Sequence, residues 1–69
     1  MPAPRFNRAT RLWIITAVFG EPRNRYIQCA GCCEQVMLGG GAFRGHVVSH
    51  SKCGTDMQID HQAAIRVRT

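Results

Sequence analysis

A chain of 69 residues has room for one small domain, and at about 1.5 kcal/mol of ordering cost per residue such a chain rarely stabilises itself by apolar burial alone. A formal net charge of +5, with eight arginines to one lysine, suits bidentate contact with phosphate and, equally, the plain solubility of a basic surface. The apolar run "LWIITAVF" is far below the ~20 residues of a membrane helix and is followed by no small-x-small cleavage site, so no membrane partner and a cytoplasmic location are expected, with thiols left open to metal.

Residues 1–6, "MPAPRF", read as a loose arm because of Pro2 and Pro4. Asn7 can then cap a helix over residues 7–19. Leu12, Ile15, Val18 and Phe19 share one face of it, and Gly20 with Pro22 supplies the stop. The β-branched residues Ile14, Ile15, Thr16 and Val18 make a strand the competing reading. On the helix reading Arg5, Arg8 and Arg11 form one basic stripe near its start.

After the loop "GEPRNR", "YIQ" and "QVML" are short strand candidates folded back across "CAGC", the shape of a zinc knuckle. "GGG" at 39–41 marks a turn. A hairpin is expected to complete the unit to residue 53, and "IDHQAAIRVRT" places Ile59, Ala63, Ala64 and Val67 at roughly helical spacing, predicting a helix over 59–68. The expected fold class is thus α+β, a single ββα zinc-finger-like or treble-clef-like domain over residues 7–69 with an N-terminal helix.

Two thiolates at Cys29 and Cys32 can reach one tetrahedral zinc, which is half a site. His46, His50 and Cys53 are the candidates for the other half. On a helix His46 and His50, four apart, would share a face. His61 is a further candidate for that half, and Cys33 stands beside the Cys29–Cys32 pair without an assigned role. The segments that flank the cysteines and histidines are basic: residues 1–25 carry five arginines against Glu21. Arg5, Arg8, Arg11, Arg44, Lys52, Arg66 and Arg68 are therefore the candidate phosphate contacts of a DNA-binding surface.

Two resemblances follow from these residues. The spacing Tyr26-x2-Cys29-x2-Cys32-x3-Val36-x6-Phe43-x2-His46-x3-His50 resembles a Cys2His2 zinc-finger regulator, but with one residue too many before Phe43 and with Gly40, Gly41 and Gly45 where its helix should run. More of the chain resembles the HNH endonuclease family, especially its small phage-borne members, through "RLWIITAVFG", "CAGC", "GHVVSHSKCGT", "QIDH" and "QAAIRVRT" in that order.

The HNH resemblance implies structural Zn2+, DNA as partner, and His46 as a general base working with Mg2+ or Mn2+ if the chain cleaves or nicks DNA. It also implies ligands and orienting groups that this sequence lacks. Gly45 stands where the family carries a metal ligand, Asp60 and His61 where it carries asparagine, and Ile65 and Arg68 where it has a second Cys-x2-Cys. Cys53 replaces a turn glycine and has the chemistry of a relocated zinc ligand. A rival from another class is a phage-type interaction module that docks on a host enzyme through the apolar face of residues 12–19, in which case Trp13 should be exposed.

Overall fold

The computed structural model describes residues 3–39 and 43–66. They form β1 (Arg5–Asn7), β2 (Leu12–Phe19), β3 (Tyr26–Gln28), β4 (Gln35–Met37), β5 (Val47–His50) and β6 (Thr55–Arg66). There is no helix among the described residues, and so none long and apolar enough to cross a membrane. The expected α+β, ββα architecture with its N-terminal helix is corrected to an all-β one.

Both misread helices have the same physical origin. A spacing of four is a multiple of the strand period of two as well as roughly one helical turn, so Ile15 with Phe19, or Ile59 with Ala63, fits either geometry. What separates them is side-chain shape. The β-branched residues of β2 are stiff at χ1 and pack well on a pleated surface. Adjacent Ile14 and Ile15 are both buried, which an amphipathic surface helix does not require but a strand covered on both faces does. Arg5 and Phe6, from the expected arm, form β1 with Asn7 instead.

The six strands make one sheet in the order β4-β3-β2-β6-β5, with β1 paired to β2 off that path. Three antiparallel hairpins, β1–β2, β3–β4 and β5–β6, are joined by the antiparallel β2–β3 pair and the parallel β2–β6 pair. The sheet curls into a small, nearly closed barrel-like form around Ile15, Val18, Ile27, Cys29, Met57 and Ile59. Half-buried Trp13 packs against that cluster. Residues 12–19 are therefore the central strand, and Trp13 is not the open anchor that the docking-module reading needs.

The β2–β6 pairing is interrupted once. Ile15 pairs with Ile59, but Ala17 pairs with Ala64, so Thr16 alone faces four residues of β6. Asp60 fastens this bulge by accepting a hydrogen bond from the backbone N–H of Gln62 at 3.1 Å. The predicted C-terminal helix lay on this segment. In place of helical turns it is a strand with a bulge, bridged to the preceding loop by Gly45 N–H donating to the Ile59 carbonyl and Ile59 N–H to the His46 carbonyl.

Candidate metal centre

Two hairpins flank β2 in the strand order, β3–β4 on one side and β5–β6 on the other. Their turns meet. The β3–β4 turn carries Cys29 and Cys32, the β5–β6 turn carries His50 and Cys53, and the four ligand atoms all lie within 4.8 Å of one another. Cys29 Sγ is 3.4 Å from Cys53 Sγ, and His50 Nδ1 is 3.3 Å from Cys53 Sγ and 3.5 Å from Cys32 Sγ. All four cysteines are free thiols.

These separations fit a tetrahedral ion. Bonds of about 2.3 Å to sulfur and about 2.1 Å to nitrogen place ligand atoms roughly 3.6–3.8 Å apart, slightly more than the three shortest separations and within the 4.8 Å that bounds the rest. The donor set fits as well, since three soft thiolates and one imidazole form a Cys3His site. The chain can hold a metal ion at this point.

The two halves are built alike. Each is a ligand-x2-ligand turn in which the residue after the second ligand donates its N–H back to the carbonyl of the first: Cys33 to Cys29 at 2.9 Å, and Gly54 to His50 at 2.8 Å. Each of those residues lies in the left-handed region, Cys33 at φ 65° and Gly54 at φ 74°. Glycine adopts that conformation freely, and Gly54 fits its turn for this reason. Cys33 adopts it at a cost, exposed and outside the four-ligand group.

Gly31 has another role. A Cβ there would stand 2.3 Å from Thr55 Oγ1 and 3.5 Å from Cys53 Sγ, so the missing side chain lets one turn close on the other.

The surroundings favour negative charge on two of the three sulfurs, those of Cys29 and Cys53. Burial of Cys29 opposes its thiolate, but backbone N–H groups of Cys32 and Gly31, with Cys53 and His50 beside it, outweigh that and lower its pKa to about 6. The Thr55 hydroxyl lowers the Cys53 pKa. At Cys32 a backbone hydrogen bond at Glu34 acts downward, yet burial and the neighbouring Cys29 and Cys53 leave its pKa raised. His50 is raised by hydrogen bonding to Cys29 and then Cys53. Thiolates gathered this closely repel one another, and a divalent cation removes that conflict.

Outer contacts orient the ligands. With Nδ1 of His50 turned to the sulfurs, its Nε2 lies 3.5 Å from Glu34 Oε2, and Glu34 Oε1 pairs with Lys52 Nζ at 3.2 Å. The Gly31 N–H donates to Cys29 Sγ at 3.4 Å, and Thr55 Oγ1 lies 3.2 Å from Cys53 Sγ. Glu34, Gly31 and Thr55 were not singled out from the sequence. The signal for the site was nonetheless there, because His50-x2-Cys53-Gly54 repeats the form of Cys29-x2-Cys32-Cys33.

Of the six candidate ligands, the structure brings together Cys29, Cys32, His50 and Cys53 and leaves His46 and His61 out. In extended chain, residues four apart are about 13 Å apart, too far to share an ion. The same distance removes the Cys2His2 spacing. His46, the expected general base, is exposed and precedes β5.

The basic residues fall into two groups. Arg5, Arg8 and Arg11 are exposed on β1 and the β1–β2 turn, and Arg66 is exposed at the end of β6. Arg44 donates to the Ala63 carbonyl through Nε and Nη2, and Lys52 is held by Glu34. Arg68 lies outside the described residues. Comparison of the chain with protein families, with curated proteins and with solved structures finds no match.

Proposed function

We propose that this chain is a small nucleic-acid-binding module whose two outer hairpins are stapled together by one Zn2+ held by Cys29, Cys32, His50 Nδ1 and Cys53. The observation that carries the reading is the meeting of four ligand atoms, two from each of two symmetrically built turns, within 4.8 Å. Zinc is favoured by three sulfurs and one nitrogen at tetrahedral spacing. A Cys3His set leaves no open position for water or substrate, so the ion is structural.

Nucleic acid is the partner that the charge supports. Among the described residues the ion-paired side chains are His50, Lys52 and Glu34, which leaves Arg5, Arg8 and Arg11 without a carboxylate partner. Three arginines in seven residues, exposed and unpaired, attract a polyanion. The HNH resemblance points to DNA as well. It adds nothing to the ligand set.

Elemental analysis of the purified chain tests the first half. One zinc per chain is expected, lost with Cys32→Ser or Cys53→Ser and retained with His46→Ala. Zinc retained after both cysteine substitutions would overturn the staple. Binding to a labelled DNA that weakens steeply as salt rises tests the second half, and no binding at low salt would overturn it. A plasmid-nicking assay with added Mg2+ or Mn2+ is expected to show no cleavage, and nicking abolished by His46→Ala would restore the enzyme reading.

A further inference from the structure

We infer that the β1–β2 hairpin is a contact surface for single-stranded nucleic acid, with the ring of Phe6 as a platform for an unpaired base and Arg5, Arg8 and Arg11 on the flanking phosphates. The inference rests on the nucleic-acid reading above and narrows it to one element and one class of strand.

The hairpin has few other uses for these residues. Every residue from Arg5 to Arg11 is exposed, and Phe6, at 46% exposure, is among the most open large apolar side chains. Phe6 pairs in register with Trp13, and their rings meet edge-on with centroids 5.4 Å apart at 65°. The contact holds the phenyl ring at a fixed angle while about half of the residue stays open. A half-open aromatic on a short hairpin that also carries three exposed arginines is the combination that binds single strands, because every base has a π-face and the backbone supplies the charge. Bases inside a duplex cover those faces.

The turn is also held in shape. Asn7 Oδ1 accepts from the N–H groups of Ala9 at 3.0 Å and Thr10 at 3.4 Å, and the Arg11 N–H donates to the Asn7 carbonyl at 2.7 Å. Arg11 takes a left-handed φ of 60° to complete it. The cations are thus presented from a fixed backbone, which lowers the ordering cost of binding. Of the other described cations, Arg25 donates to the Gly20 carbonyl, Arg44 to Ala63, and Lys52 to Glu34, while Arg23 and Arg66 are exposed but lie away from this hairpin, Arg66 at the Phe19 end of β2.

The test uses the zinc-loaded full chain and two labelled probes, an oligothymidylate of about 20 nucleotides and a duplex of about 20 base pairs, read by anisotropy at two salt concentrations. The oligothymidylate is expected to bind more tightly and to quench the fluorescence of Trp13, the single tryptophan. Phe6→Ala should weaken the single strand about 5- to 150-fold and the duplex little. Phe6→Leu, which keeps apolar cover over Trp13, should do the same at unchanged zinc content.

If Arg5→Ala, Arg8→Ala or Arg11→Ala weakens both probes while Phe6→Leu changes neither, the stacking platform is overturned and the nucleic-acid reading stands. If neither probe binds at low salt, both fall.

Discussion

Glu34 Oε2 stands 3.5 Å from Nε2 of His50, on the far side of the ring from the three sulfurs. The residue that steers the histidine therefore comes from the opposite hairpin, just beyond the Cys29–Cys32 turn. A carboxylate at this position favours the tautomer with the proton on Nε2, which leaves the Nδ1 lone pair open to the proposed ion. Glu34→Gln should keep one zinc per chain but lower its affinity by about 10- to 100-fold, measured by competition with a chromogenic chelator. An affinity equal to wild type would show that the carboxylate does not orient the ring.

Cys33 and Gly54 occupy equivalent places in the two turns, and only Cys33 carries a side chain in the left-handed region. Relief of about 1–2 kcal/mol of strain, set against the extra backbone entropy of glycine, should leave Cys33→Gly neutral to about 1 kcal/mol more stable. Zinc stoichiometry should not change. A lost zinc would make Cys33 a ligand and contradict the assigned set.

Gly31 and Gly54 separate sterics from backbone strain. Alanine at Gly31 would drive its Cβ against Thr55, so Gly31→Ala should push the turns apart and reduce zinc affinity by far more than Gly54→Ala. A Cβ at Gly54 meets nothing within 4 Å and faces only its φ of 74°. Gly54→Ala should cost about 1–2 kcal/mol in thermal or chemical unfolding and keep its zinc. Equal loss of zinc in the two variants would mean that the close approach at Thr55 is unimportant.

Removing the metal should remove the fold. The described core is small, and its largest fully buried side chains are Ile27, Met57, Ile59, Val18 and Cys29, the last being one of the four proposed ligands. Binding of structural zinc, worth on the order of 10 kcal/mol in small domains, exceeds what such a core retains after chain entropy. Circular dichroism and amide dispersion should both collapse on treatment with a strong chelator and return with Zn2+. A dispersed spectrum unchanged after complete demetallation would place stability in the barrel itself.

Salt dependence should distinguish the free cations from the engaged one. Each of Arg5→Ala, Arg8→Ala and Arg11→Ala is expected to reduce the slope of log affinity against log salt by about 1, as for a lost phosphate contact. Lys52→Ala should change it little, because that ammonium already pairs with Glu34. A slope reduced only by the Lys52 substitution would move the binding face to the metal end of the molecule.

The amino-acid sequence by itself pointed to a metal site and supplied half of it: Cys29 and Cys32 announce metal through side-chain identity and the x2 spacing, which follow from bond lengths and chain reach whatever fold surrounds them. The other half stayed open among His46, His50, Cys53 and His61. The sequence also placed the turn flanked by β3 and β4, because "YIQ" and "QVM" are too short and too strictly bounded by turn residues to be much else. It did not determine whether the segments around Ile15 and Ile59 are helix or strand, since a spacing of four satisfies both periods. The tertiary structure decided that, by covering both faces of β2 and pairing it in parallel with β6, and the same decision chose His50 over His46. In a strand the two imidazoles lie far apart, and only the one carried to the turn by the β5–β6 hairpin reaches the sulfurs of a segment some twenty residues earlier.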